Sequence, residues 1–236
     1  MRLRCDLHTH TNHSKDGSSS PEQLVRAAAA AGLAVLGVTD HDTLAGGLAA
    51  AAAAARLAKS PGGSSLLVIP GIELRTAEGD VLVYGVPHDL PPGRPLKQVI
   101  AAVRSHRGWL IAPHPFDSWR RGLGPALEGP GRRSAGLRQS FIAIEAFNAR
   151  CYAGSSNQRA LAFVAAHSMN PLAVSDSHHN RELGRCYTTL EATSRTPAAV
   201  FAAIADGKAQ LTCASLPRLA HLRATLAKPF AGRNSI

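Results

Sequence analysis

Short apolar runs alternate with longer stretches of helical period along most of the chain, and polar residues recur where the apolar runs end. The first run interleaves Leu3, Cys5 and Leu7 with Asp6, His8 and His10. That is the period of two of a strand, whose successive side chains face opposite ways. Asp6, His8 and His10 then share one face, and the strand runs out into a polar loop that holds Asp16 and Gly17. Pro21 opens a predicted helix through about residue 31, with Gly32 at its end. Residues 34–38 read as a buried strand ending in Thr39-Asp40-His41-Asp42, followed by a helix over 44–59 that Ser60-Pro61-Gly62-Gly63 breaks.

A third strand over 66–69 delivers Gly71-Ile72-Glu73, and a fourth over 81–86 follows Asp80. A helix over 96–107 leads to a fifth strand over 109–112 and Pro113-His114-Pro115. Residues 116–138 carry no clear period and read as a long loop or lid. Strands over 141–144 and 172–174 then end in Glu145-Ala146-Phe147-Asn148 and Ser175-Asp176-Ser177-His178, with a helix over 155–167 between them. The remainder suggests a strand near 187–190, a helix over 197–205, a strand-like run over 210–213 and a frayed tail after Pro229. Strands alternating with helices imply a parallel β/α architecture. His10, His41, Glu73, His114, Glu145 and Asp176 each close a strand, and β/α barrels build their sites from C-terminal strand ends. A barrel with a polar, metal-competent mouth is the expectation.

Composition alters this picture little. The 236 residues are 45% hydrophobic and 18% charged, with mean hydropathy near zero, and the alanine runs at 27–31 and 49–55 read as closely packed helix interiors. Charge adds more. The formal balance is +10, and nine Lys or Arg between Arg94 and Arg138 face only Asp117 and Glu128. Such a balance favours anionic partners, although the stretch also fits a solvated loop. Cys5, Cys151, Cys186 and Cys213 form no paired motif. No signal peptide and no membrane-length apolar run is evident, so a reduced, cytoplasmic setting is expected.

Imidazoles and carboxylates together suit zinc, manganese or iron. Two or three clustered ions can activate water and neutralise a phosphoryl group. The motifs Asp6-Leu7-His8-Thr9-His10, Thr39-Asp40-His41-Asp42, Pro70-Gly71-Ile72-Glu73, Ala112-Pro113-His114-Pro115 and Ser175-Asp176-Ser177-His178, in this order, resemble those of the PHP (polymerase and histidinol phosphatase) family. The resemblance covers residues 3 to about 190. It implies a distorted (β/α)7 barrel with the metal site at the C-terminal strand ends, spanning residues 1–236 as one domain, with further elements over 191–228. It implies a metal-dependent phosphoric ester hydrolase binding two or three Mn2+, Zn2+ or Fe2+ ions. Pieces such as Ser14-Lys15-Asp16-Gly17 look closest to the small phosphoesterase branch, some of whose members act on nucleotides or oligonucleotide 5′ ends. A phosphorylated small molecule, nucleotide or short oligonucleotide is the expected partner.

Carried over residue by residue, the resemblance assigns His8, His10, Glu73 and Asp176 to one ion. Glu73 bridges to a second, held also by His114 and by Asp80, which stands where many relatives have His. Asp16, His41 and His178 hold a third, Asp16 again replacing a His. Asp176 and His178 are the catalytic candidates, with Arg121 and Arg185 favoured over Arg120 and Arg150 for gripping phosphate. One of Asp40 and Asp42 orients an imidazole, or else Asp42 or Thr43 caps the following helix, and Glu145 and Asn148 either join the site or anchor a loop. A metal-bearing binding or scaffold module without turnover is the alternative function. The oligomeric state stays open.

Overall fold

The computed structural model describes residues 1–214. Nine strands form one sheet: β1 (Arg2–Asp6), β2 (Val35–Val38), β3 (Leu67–Arg75), β4 (Asp80–Tyr84), β5 (Trp109–Ala112), β6 (Ala143–Asn148), β7 (Pro171–Val174), β8 (Tyr187–Glu191) and β9 (Gln210–Thr212). Seven helices connect them: α1 (Pro21–Ala30), α2 (Ala45–Ala58), α3 (Leu96–Ser105), α4 (Gly124–Glu128), α5 (Arg132–Arg138), α6 (Gly154–His167) and α7 (Pro197–Ala205). The order across the sheet is β7-β6-β5-β4-β3-β2-β1-β8-β9. The sheet curls into a nearly closed barrel. Beyond the ends of β1 and β7 the chain pairs Thr9 with Ser177, and His10 N–H donates to the Ser177 carbonyl at 2.8 Å. At the other end, Thr188 of β8 exchanges two 2.9 Å hydrogen bonds with the backbone of Ala173 in β7.

Several elements fall where the polarity pattern put them. Ser20 caps α1 in a reciprocal box with Gln23, and Pro21 occupies its first turn. Other expectations need correction. The sheet is not uniformly parallel, because β4 runs antiparallel to both β3 and β5. A hairpin over residues 76–79 joins β3 to β4 in place of a helix, held by Thr76, whose N–H donates to the Gly79 carbonyl at 2.9 Å. The third strand does not stop at residue 69 but runs through Pro70-Gly71 to Arg75. Residues 116–138 contain two short helices, α4 and α5, because Leu123, Leu127 and Ser134 are buried and Phe116 packs with them over β5. The expected helix over 197–205 and strand-like run near 210–213 are α7 and β9, while the part of the 191–228 region beyond residue 214 and the frayed tail after Pro229 lie outside the described residues.

The inversion of β4 matters for the site. Its first residue, Asp80, pairs with Arg75 and so reaches the same mouth as the C-terminal ends of the parallel strands. The opposite end is closed by α7, where Phe201 stacks on Trp109 at 4.2 Å and packs on Tyr84 at 5.2 Å. Tyr84 is fully buried, and its hydroxyl donates to the Leu7 carbonyl at 2.5 Å. Gly71 makes room for that ring, since a Cβ there would lie 2.5 Å from it. Outside the barrel, α1 and α2 cover β2 and β3 through Leu24, Val25, Ala50 and Ala53, and α3 and α6 cover the other wall through Val99, Val103 and Phe163. Each buried Val, Leu or Phe among them contributes about 1.5–3 kcal/mol by leaving water. No described helix is long and apolar enough to cross a membrane.

Candidate metal centre

Four ligand atoms from three strands meet at the mouth. His8 and His10 extend from β1, Glu73 lies within β3, and Asp176 follows β7. His8 Nε2 lies 3.1 Å from His10 Nε2, 3.2 Å from Glu73 Oε2 and 3.6 Å from Asp176 Oδ1. His10 Nε2 lies 3.3 Å from Glu73 Oε2 and 3.4 Å from Asp176 Oδ1. A tetrahedral ion with bonds of about 2.1 Å needs ligand atoms about 3.4 Å apart. All four residues are buried.

The partners on the far side of each ring fix what these atoms can be. His8 Nδ1–H donates to Glu145 Oε1 at 2.6 Å. His10 Nδ1–H donates to Ser14 Oγ at 3.2 Å, and Ser14 in turn donates to Asp40 Oδ1 at 2.7 Å. An imidazole that donates through Nδ1 turns a lone pair outward at Nε2 when neutral. Two ring nitrogens and two carboxylate oxygens then converge on one place. Without a metal the proton on His8 offsets the two buried carboxylates, and a divalent ion can take that proton's place, so this donor set fits a metal.

Charge balance agrees with that fit. Burial opposes ionisation of Glu73 and Asp176, but His8 and the neighbouring imidazoles, with Arg120 for Asp176, outweigh it and hold both well below the usual carboxylate range. Burial likewise opposes a charged His8, but Asp176, Glu145 and Glu73 outweigh it and push its pKa well above normal. His10 goes the other way, pushed down to about 4 by burial and then by His178 and His41.

Two further clusters adjoin the first. Glu73, Asp80 and His114 bring ligand atoms within 4.8 Å of one another, and Glu73 Oε1 is 2.8 Å from His114 Nε2. Glu73 thus offers its two oxygens to two neighbouring groups. Burial and the Glu73 charge raise the Asp80 carboxyl above the usual carboxylate range. On the other side, Asp16 Oδ2 lies 3.2 Å from His178 Nε2 and 3.4 Å from His41 Nε2, and the rings of His10, His41 and His178 converge. His178 Nδ1–H donates to the Asp176 carbonyl at 2.9 Å, which turns its Nε2 toward Asp16. Asp16 Oδ1 has no hydrogen-bond partner although it is buried. Its carboxyl is held well below the usual range, since hydrogen bonds from His178 and His41 outweigh burial.

The backbone at the mouth is strained. His114 and Asp176, each two residues past a strand, have φ of 26° and 52°. A side chain in that region costs on the order of 1–3 kcal/mol, and such residues gather at functional sites. Glu145 Oε2 holds the His114 N–H at 2.7 Å, and Asn148 Nδ2 donates to Glu145 Oε2 at 2.8 Å and to Asp176 Oδ2 at 3.0 Å. Glu145 and Asn148 therefore brace the site from behind. Asp40 braces it through Ser14 and through both the N–H and the hydroxyl of Thr11. Gly46 of α2 allows this, because a Cβ there would lie 1.8 Å from Asp40 Oδ2. Neither Asp40 nor Asp42 caps α2. Asp42 accepts from the Arg75 N–H and guanidinium, while Asp89, from a distant loop, accepts from Leu44 N–H at 2.7 Å at the start of that helix.

The arginines divide sharply. Arg120 reaches inward, pairs with Asp176 and Asp117, and also meets Asn148 and Cys151. Arg150 donates to the Asp176 carbonyl and to Glu182. Arg121 donates to the Thr76 and Ala77 carbonyls and lines the cavity over the site. Arg185 is exposed and does not line that cavity. The cavity measures about 640 Å³ and also takes in Trp119 and Tyr152. Glu182, Trp119 and Tyr152 carry no signal along the chain, and Ser14 stands out there only as part of Ser14-Lys15-Asp16-Gly17.

Fold and mouth together define a β/α barrel protein with adjoining candidate sites for divalent cations. The PHP domain model matches residues 6–226, and the chain belongs to that family. It is 36% identical over 135 residues to the 5′-3′ exoribonuclease Rnm of Escherichia coli, a match covering 56% of this chain and 43% of that enzyme. Among solved structures it resembles a two-domain Bacteroides vulgatus protein containing a predicted PHP-like metal-dependent phosphoesterase. There the TM-score is 0.71 at 19% identity, over 99% of this chain and 73% of that one. It also resembles a lesion-specific endonuclease from Pyrococcus furiosus, with a TM-score of 0.55 at 17% identity, over 89% of this chain and 58% of that one.

Proposed function

We propose that this protein is a metal-dependent phosphoesterase that hydrolyses phosphomonoesters or phosphodiesters of nucleotides or of oligonucleotide 5′ ends. The observation that carries the reading is the convergence of four buried ligand atoms, two imidazole nitrogens and two carboxylate oxygens, at the spacing that one ion needs. The similarity to Rnm supports a nucleic-acid substrate, as does the formal charge of +10.

In this reading His8, His10, Glu73 and Asp176 hold one ion, Glu73, His114 and Asp80 a second, and Asp16, His41 and His178 a third. Divalent cations held there, Mn2+, Zn2+ or Fe2+, supply a hydroxide nucleophile near neutral pH and offset phosphoryl charge. The chain's own groups do the rest. Glu145 and Ser14 keep the His8 and His10 lone pairs aimed inward. Asp176 and His178, on one loop, face the open cavity where a phosphate enters. Arg121 grips a non-reacting phosphate oxygen at the rim. Arg120 serves as a positioning residue, since its donors are taken by Asp117, Asp176 and Asn148.

The test is turnover by the Mn2+-loaded protein of 5′-phosphorylated oligonucleotides, nucleoside monophosphates and glycerol phosphate, with His8→Ala and Asp176→Ala as comparators. Hydrolysis lost in both variants supports the reading. Hydrolysis that survives both rejects it, and a metal-loaded protein that turns over none of these esters favours the non-catalytic alternative.

A further inference from the structure

Trp119 and Tyr152 are two of the few large apolar side chains that the described residues leave in solvent, at 79% and 58% exposed. They come from different loops, after β5 and after β6, yet their rings meet edge to face with centroids 6.3 Å apart. Both line the cavity that also contains the candidate metal ligands. Exposed rings at the rim of a charged pocket contribute little to the core.

The loops hold these rings at a set place relative to the ion site. Asp117 Oδ1 accepts from the Trp119 N–H at 2.9 Å, and its other oxygen holds Arg120, which reaches down to Asp176. On the second loop, Arg150 is anchored to the Asp176 carbonyl and Glu182, and Cys151 packs against Arg120. In each loop an inward arginine tied to Asp176 stands within two residues of an outward aromatic ring.

We propose that Trp119 and Tyr152 form a clamp for one unstacked nucleobase, so that this site accepts single-stranded 5′ ends and excludes blunt duplex. This rests on the phosphoesterase reading for the phosphate but adds the group that selects the substrate. Rings receive any base by its π face, so the clamp discriminates strandedness rather than sequence, and Arg121 beside it matches the adjoining phosphate. The 5′-terminal base of a blunt duplex is held by its pairing partner and covered on one face by its neighbour, so it enters only after unpairing and unstacking, which costs a few kcal/mol.

The experiment measures binding without turnover. A 5′-phosphorylated hexanucleotide labelled at its 3′ end is titrated with the full chain in EDTA and followed by anisotropy, beside the same strand in a blunt duplex. The parent should bind the single strand at least about 10-fold more tightly than the duplex. Trp119→Ala and Tyr152→Ala should each weaken single-strand binding by about 10- to 100-fold, the loss of one base–ring stack, and Trp119→Phe should retain most of it. Trp119 fluorescence in the parent should be quenched by the single strand, with Trp109, stacked on Phe201, as a constant background. Unchanged affinity in both alanine variants, or equal affinity for duplex, overturns the clamp. Turnover of glycerol phosphate, which carries no ring, judges the hydrolase reading separately: turnover without strand selectivity rejects the clamp alone, and selectivity without turnover rejects the hydrolase alone.

Discussion

The inner and outer halves of the mouth use the same kinds of side chain but hold them differently. Inside, His8, His10, Glu73 and Asp176 are 0–3% exposed, and each His ring is aimed by a bond on its far side. Outside, the side chains of His41 and Asp16 are 40% and 35% exposed, and they lean chiefly on each other, His178 and Glu73. The inner group is a rigid set whose orientation is decided before any ion arrives. The outer group faces the open cavity and has fewer bonds to the rest of the chain. With ions bound as proposed, that contrast predicts a tight inner ion beside an exchangeable outer one, because prealigned buried ligands lose little freedom on binding.

Five substitutions break or sharpen the contrast. The largest effect should come from the inner set: His8→Ala or Asp176→Ala should cut phosphoester turnover by about 10³-fold, and elemental analysis should find fewer ions per chain. Next, Glu145→Gln leaves the ligands in place but weakens the brace behind His8, so competition with a graded chelator should show about a 10- to 100-fold loss of metal affinity. If Glu145→Gln binds metal as the parent does, the inner site is not preset by its backing. His41→Ala should remove one ion while the inner ones persist through dialysis, and lower turnover by roughly tenfold, about 1.4 kcal/mol in the barrier. Loss of every ion in that variant would mean that the two halves form one unit. The smallest effect lies at the far end of the barrel: Tyr84→Phe removes the hydroxyl bond to Leu7 and should cost about 1 kcal/mol of stability in urea melts, with metal content unchanged.

The ends of the parallel strands were readable from the chain because each motif is local. His8-Thr9-His10 needs only the period of two to aim two rings together, whereas Asp176 and His178, with the same spacing but a turn at Asp176, reach different clusters. Asp80 was harder. The residue was visible, but its reach to the mouth depends on β4 running antiparallel, which the pairing of Arg75 with Asp80 settles and which the polarity of 81–86 does not. The arginines were legible as charge and illegible as roles. Arg120 and Arg121 are adjacent, yet one is drawn into Asp117 and Asp176 and the other onto the carbonyls of the 76–79 hairpin. Trp119 and Tyr152 gave no signal, since single aromatics in irregular loops carry no period.

From its residues alone the chain determined the alternation of strands and helices, the family of its motifs and the donor atoms suited to a metal, because each depends on neighbours a few positions apart. Tertiary structure alone decided which way β4 runs, which nitrogen of each ring looks inward and which arginines remain at the rim. Those outcomes depend on hydrogen bonds such as His8 to Glu145, 137 positions apart, and only a closed barrel brings such pairs within reach.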